Sequence, residues 1–347
     1  MKRFITISLL ALLLGVSCKK EGPVFEYDDP HAEADFSVPG LTLDNFPFID
    51  CSTSTSPLRD MVMYKLLDIP YYWGLNWISG AEYQLYYDLP AGMVTGSPEH
   101  VAFTDRLREL RQHNGSHDAY VNLIDGRTDV IIDSRDISRN ELDYSRQKGV
   151  PVETKPLALD ALVFIVHPSN RVKSLSQQQI RDIYTGRITN WKQVGGADHE
   201  IHPYMRDADS GSQEKMETIV MRGEPMVDMP EMVGSAMVSP YFSIENDEWG
   251  IGYTPYYYCE RMIGNLRQVK VLAVDGVYPS PGSILGGALG HKRNAYPYYT
   301  HIYAAVRQDE PQSSVGRQLY RWLSTPTAKD IVDESGYISL RTHALAK

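Results

Sequence analysis

The chain of 347 residues is 42% hydrophobic and 22% charged, enough apolar material for one large or two medium globular cores and too much for a disordered chain. Its 34 Lys and Arg against 44 Asp and Glu leave a net charge of -10, which argues against holding duplex nucleic acid by phosphate neutralisation. An acidic chain must bind any anion through local donors.

Lys2 and Arg3 precede an apolar run, FITISLLALLLGV, over 4–16. At about 13 residues it is shorter than the ~20 needed to span a bilayer, so 1–17 is expected to be a signal peptide and the mature chain to be exported without a spanning helix. The run ends at Cys18 after Leu14, Gly15, Val16 and Ser17, an ending that resembles the lipobox of bacterial lipoproteins. That resemblance implies lipidation of Cys18; the alternative is an ordinary signal peptide cut nearby. Residues 18–44 are polar, acidic and punctuated by Pro and Gly, a composition expected of a tether to the membrane. The two remaining cysteines, Cys51 and Cys259, are too few for a disulfide framework and are expected to be packing residues.

From Phe46 onward short apolar runs alternate with amphipathic stretches. PFID, TDVIID and DALVFIVH are expected strands of the buried, parallel-sheet kind, and helices are expected at 58–67, 119–125, 176–184 and 213–220. Alternation of this kind predicts an α/β fold. Clusters of hydroxyls stand where these strands end: Ser52 to Ser56, Gly115-Ser116, Ser134-Arg135, and Arg206-Asp207-Ala208-Asp209-Ser210-Gly211-Ser212. In open α/β sheets ligands collect at that edge. One Ser or Thr suffices to cap a helix, so clusters of several, with two arginines, point to an anion site as well as to caps.

Other chemistries lack their signatures. His199 with His202 and His113 with His117 are poor metal pairs, lying in loops or straddling Gly115. There is no G-x-S-x-G elbow, H-E-x-x-H or phosphate-binding glycine loop. Ser210 has no identifiable base for a nucleophilic role, and His167, before Pro168, is expected near a hinge. No cofactor and no metal are expected.

The stretch LALDALVFIVHPSNRVKSLSQQQIRDIYTGRITNWKQVGG, then RDADSGSQEKM, GIGYTPYYY, YPYYTHIYAAV and STPTAKDIVDESGYISL resemble the periplasmic phosphate-binding proteins of ABC-type phosphate importers, within the type II periplasmic binding protein superfamily. The resemblance covers 46–340, and its most specific parts are Ile183, Tyr184, Gly186, Asn190, Trp191, Gly195 and Gly196, and the R-x3-S-G-S motif. It implies a two-lobed Venus-flytrap fold, each lobe a mixed sheet flanked by helices, with 45–160 and 295–347 as one lobe and 161–294 as the other. It also implies a binding protein, not an enzyme: a lipid-anchored receptor that captures inorganic phosphate for a membrane permease. Carried over by motif, Thr53 and Ser54, Ser116, Ser134 and Arg135 would bind from one lobe, and Arg206, Ser210, Gly211 and Ser212 from the other. Alternatives are the same fold binding another oxyanion or a phosphate ester and, in another class, a secreted phosphate-ester hydrolase.

Several positions depart from that family. Cys51 and His117 replace glycines, and Ser212 replaces Thr. Arg135 stands where related proteins carry an Asp that accepts the ligand's proton and so rejects sulfate. An acceptor here would have to be Asp133 or Asp136; with neither, sulfate discrimination should weaken. The aromatic-rich segment 70–100, with Trp73, Trp77, Tyr83, Tyr86 and Tyr87, is longer than the family's usual connection. Packing is its expected role, a partner-docking face the alternative.

Overall fold

The computed structural model describes residues 34–76, 80–208, 210–264 and 266–341. The expected signal peptide, Cys18, Trp77 and Asp209 lie outside the described residues.

β1 (Ile49–Cys51) leads through a hydroxyl-rich turn into α1 (Ser56–Leu66), followed by a hairpin of β2 (Tyr71–Leu75) and β3 (Tyr83–Tyr87). Then come α2 (Pro98–Leu110), α3 (Ser116–Ile124), β4 (Val130–Asp133), α4 (Arg139–Lys148) and the 15-residue β5 (Val152–Val166). Next are β6 (Ser174–Leu175), α5 (Gln177–Tyr184), β7 (His202–Pro203), β8 (Met205–Arg206), the short α6 (Gly211–Lys215), β9 (Val233–Gly234), α7 (Ser239–Glu245) and β10 (Gly250–Pro255). The chain closes with β11 (Lys270–Val271), β12 (Ala273–Val274), α8 (Pro281–Ala288), β13 (Tyr299–Arg307), α9 (Val315–Trp322), α10 (Pro326–Ser335) and β14 (Ile338–Ser339).

The strand β5 joins two α/β lobes. Its first part pairs antiparallel with β13, from Val152 opposite Arg307 to Ala161 opposite Tyr299, and β14 adds to the same part. Beyond it the partner changes: Leu162 to Val166 pair with β10, from Pro255 to Ile251. The first lobe thus carries β1, β4 and β13, with β1 parallel to β4 and β13 antiparallel to it, and the second carries β10 with β7 parallel beside it. Residues 157–166 of β5 are buried without a break, as a strand covered on both faces should be. Only the part from Ala161 onward is a long unbroken apolar run in the sequence. Pro156 interrupts the earlier half, and the ladder to β13 is irregular between Ile302 and Tyr303, opposite this position. A proline cannot donate to the ladder, so it is tolerated next to such a break.

Helices cover both lobes: α9 lies against β4 and β13, α8 against β13 and β5, and α7 against β10 and β5, while α1 packs on α10. The Trp191–Gly196 block is a packing device. Trp191 is buried, its indole N–H donates to the Trp249 carbonyl at 2.8 Å, and a Cβ on Gly196 would sit 2.9 Å from the Trp191 Cβ. Any side chain there would press on Trp191 at its Cβ and carbonyl and force a shift. Both cysteines are free and buried, and burial pushes Cys51 up to about 12 and Cys259 up to about 11.

The aromatic segment contains the β2–β3 hairpin, its strands antiparallel from Tyr71 opposite Tyr87 to Leu75 opposite Tyr83. Tyr71 stacks on Tyr64, Tyr87 packs on Phe103, and Arg261 lies over Trp73. Tyr72 and Tyr86 stack on one another on the outer face, where Tyr72 is exposed. Among the described residues no helix is long and apolar enough to cross a membrane.

Candidate functional site

Three loops of the first lobe converge on one point because buried polar groups fix each of them. In the loop after β1, the Thr55 hydroxyl donates to the Ile132 carbonyl at 2.7 Å and Tyr337 donates to the Ser54 carbonyl at 2.8 Å. For the second loop the buried carboxylate of Asp50 accepts from the Asn114 backbone (3.0 Å) and side chain (2.7 Å) and from Asn122 (2.9 Å). Arg59 adds bonds to the carbonyls of Arg111 and Gln112, each at 2.8 Å. Gly115, at φ 81°, then turns the chain into α3, a backbone angle that favours glycine. The third loop follows β4 directly. Neither α1 nor α3 has a side-chain cap, so capping does not account for the hydroxyls of Thr53, Ser54 and Ser116.

The second lobe supplies Arg206 and the Ser210–Ser212 turn. Arg206 is buried at the end of β8, its backbone N–H held by Tyr253 at 3.0 Å and by Gln213 at 3.2 Å. Its Nε donates to the Gly234 carbonyl (2.9 Å), Nη2 to the Ser235 carbonyl (3.0 Å), and Nη1 lies 3.3 Å from the Met237 sulfur. A guanidinium has five N–H groups, so two remain. Among the described residues no carboxylate lies within ion-pair distance of it. Ser210 caps α6 by accepting from the Ser212 N–H at 3.2 Å.

Together these elements enclose a cavity of about 320 Å³ lined by Thr53, Ser54, Ser116, Ser134, Arg206, Ser210, Gly211 and Ser212. The lobes meet closely there: a Cβ on Gly211 would lie 3.5 Å from the Ser134 hydroxyl and 4.0 Å from that of Ser116. Ser52, Gly115, Asp207, Lys215, Ser235, Ala236, Met237 and Pro255 complete the lining. Ser52 and Asp207 belong to the same hydroxyl-rich turns of the sequence as Thr53 and Ser210. Lys215 is four residues beyond Gly211, on the same helical face, and that spacing was the available signal. Ser235 to Met237 carry no motif.

Arg135 is the correction: its side chain does not line this cavity. Glu141, buried, accepts from Arg135 Nη1 at 2.9 Å and from Nη2 at 2.6 Å, and Glu214 lies 2.8 Å from Nε. Burial works against its charge, but these two carboxylates hold it above the usual arginine range. Glu141 is fixed independently, as the reciprocal partner of Ser138 at the start of α4, so the fork is spent before it could reach an anion. His117 also turns away, toward Glu141 at 3.0 Å, and its largely exposed ring does not crowd the loop. His199 stacks on Trp249, His202 pairs with Asp247 at 2.6 Å, and His167 contacts Ser169. Asp136 accepts from the Ile137 N–H at 2.8 Å and borders an adjoining cavity instead.

Asp133 lies directly behind the site, fully buried. Its Oδ1 accepts the Ser116 hydroxyl at 2.7 Å and the Arg135 N–H at 3.3 Å, while Oδ2 has no partner. Burial pushes its carboxyl up to about 6, against the opposing pull of Ser116 and Arg135. A carboxyl raised in the native state keeps a proton that the unfolded chain releases, so stability is lost as pH rises from about 4 to about 6. Asp133→Asn in the anion-free protein should therefore raise the thermal midpoint at pH 8 and leave it little changed at pH 4. An equal fall at both would contradict this assignment.

A second cavity, of about 600 Å³, shares Thr53, Ser54, Ala236 and Met237 with the first and extends past Arg108, Arg111, His113 and Tyr258.

Comparison with known proteins places this geometry. A family model described as PBP superfamily domain matches residues 111–324. The phosphate-binding protein PstS of Borreliella burgdorferi is 24% identical over 227 residues, covering 61% of this chain and 73% of that protein. PstS of Staphylococcus epidermidis is 27% identical over 189 residues, 53% of this chain, and the match spans 57% of that relative's length. Among solved structures, an ABC transporter substrate-binding protein with bound phosphate from Clostridium perfringens aligns with a TM-score of 0.58 at 22% identity, covering 84% of this chain and 98% of that one. An ABC-type phosphate transport receptor from Vibrio cholerae aligns with a TM-score of 0.56 at 20% identity over the same shares. With two lobes joined through one long strand, a polar cavity between them and a family match over more than half its length, this chain belongs to the PBP superfamily.

Proposed function

We propose that this protein is an extracytoplasmic receptor that captures inorganic phosphate between its lobes and delivers it to an ABC-type membrane permease. One observation carries the reading. Arg206, buried and without a carboxylate partner among the described residues, faces the hydroxyl-bearing loops of the opposite lobe across a cavity of about 320 Å³. Two free guanidinium N–H groups and a ring of hydroxyls suit a tetrahedral oxyanion. The names of the relatives support phosphate as that anion. The ligand residues on this reading are Thr53, Ser54, Ser116, Ser134, Arg206, Ser210, Gly211 and Ser212. The lobes, 45–160 with 295–347 and 161–294, close about β5 by a hinge motion. Cys18 carries the lipid anchor.

The bond between Ser116 and Asp133 bears on selectivity. A hydroxyl has one hydrogen, and that of Ser116 is directed to Asp133, so Ser116 turns a lone pair toward the cavity. Hydrogen phosphate can donate to it; sulfate at neutral pH has no hydrogen to offer, and its oxygen would be repelled. A second reading, capture of a phosphate monoester, is favoured by the adjoining cavity of about 600 Å³, which could take an organic group. Hydrolysis is disfavoured, because the Ser210 hydroxyl is engaged in capping and has no base among its described partners.

Calorimetric titration of protein freed of anion by unfolding and refolding separates these readings. Phosphate at 1,000 times its dissociation constant should also stabilise the fold by about 4 kcal/mol. Binding of phosphate with little response to sulfate supports the main reading. Tighter binding of the monoester favours the second, and no response to any of them overturns both.

A further inference from the structure

Lys215 closes α6 and borders the anion cavity as well as the adjoining cavity beside Arg135. It is 6% exposed, and among the described residues its ammonium has neither a hydrogen-bond acceptor nor an ion-pair partner. Among the described residues the carboxylates around it make their hydrogen bonds and ion pairs with other groups, although the Oδ2 of Asp133 has no partner. Asp160 on β5 accepts from the N–H groups of Ala161 (2.8 Å) and Tyr257 (2.9 Å). Asp133 at the end of β4 is bonded to Ser116, and Glu214 pairs with Arg135. A buried ammonium without an acceptor is costly, and the spaces this one borders are the anion cavity and the cavity adjoining it. Burial accordingly pulls Lys215 below the usual lysine range, against the opposing pull of Asp160, Asp133 and Glu214.

The charge of the lining makes this residue decisive. Among the described residues, the ionisable side chains bordering the cavity are Arg206, Asp207 and Lys215. Asp207 offsets Arg206, so without Lys215 the lining is close to neutral, and with it the lining is positive. We propose that Lys215 is a ligand of the bound oxyanion and supplies the charge by which the cavity selects a doubly charged tetrahedral anion over a singly charged one. This inference rests on the anion-capture reading above.

The test is Lys215→Met, which keeps the length of the side chain and removes its charge. Truncating one partner of a buried charge pair typically costs about 2–5 kcal/mol, so phosphate affinity at pH 8 should fall by roughly 30-fold or more. The preference for phosphate over perrhenate, a singly charged tetrahedral probe, should shrink. The thermal midpoint of the anion-free protein should rise, because an unsatisfied buried charge has been replaced by an apolar group. Unchanged phosphate affinity, an unchanged preference, or a lowered midpoint in the anion-free variant each overturns the role of Lys215 while leaving phosphate capture standing. Wild-type protein that binds no oxyanion overturns the capture reading, and this inference with it.

Discussion

Arg206→Ala loses phosphate affinity by about 2–5 kcal/mol, roughly 30-fold to several thousand-fold, while the chain remains folded. The magnitude follows from where the guanidinium stands. It is buried, it is fixed by the carbonyls of Gly234 and Ser235, and it has no carboxylate partner among the described residues. It therefore meets the ligand unpaired, although Asp207 beside it offsets part of its charge. Arg206→Lys should retain part of the affinity, because a point charge stays but the fork that grips two oxygens is gone. The far-ultraviolet spectrum should match wild type, since Arg206 closes a strand of two residues and not a core layer. Unchanged affinity in Arg206→Ala would remove this residue from the site.

Asp60→Ala produces the largest expected loss of stability. Asp60 lies 2.6 Å from Arg59 and 2.9 Å from Arg111, and the Arg59 side chain is 2% exposed. Removing the carboxylate leaves a buried guanidinium uncompensated, a change that typically costs about 3–5 kcal/mol. Arg59 also holds the carbonyls of Arg111 and Gln112 ahead of the Ser116 loop, so phosphate affinity should fall with it. Urea denaturation measures the first effect and calorimetry the second. A loss below about 1 kcal/mol, the size of an exposed pair, would show that the cluster is not buried in solution.

The residues that were legible in the sequence are those whose role is local. Strand 128–133 and the helices at 58–67 and 176–184 follow from apolar runs and periodicity, and the structure places α1 at Ser56–Leu66 and α5 at Gln177–Tyr184. The hydroxyl clusters could be read because they follow strands. Arg135 was misplaced because nothing in the order of residues shows Glu141 turning back from its capping position to take the fork. The first half of β5 was missed because Pro156 and the charges of Glu153 and Lys155 break its apolar run, and only pairing with β13 makes it a strand. Lys215 was missed for a similar reason: its burial is a property of two lobes meeting, which no local pattern records.

The most direct test of the account is a crystal structure of the protein grown with phosphate. The account predicts one anion between the lobes, within hydrogen-bond distance of the Arg206 guanidinium and of hydroxyls from both lobes, with Arg135 still paired to Glu141. An anion bound to Arg135, or a cleft that closes with no anion beside Arg206, would contradict it.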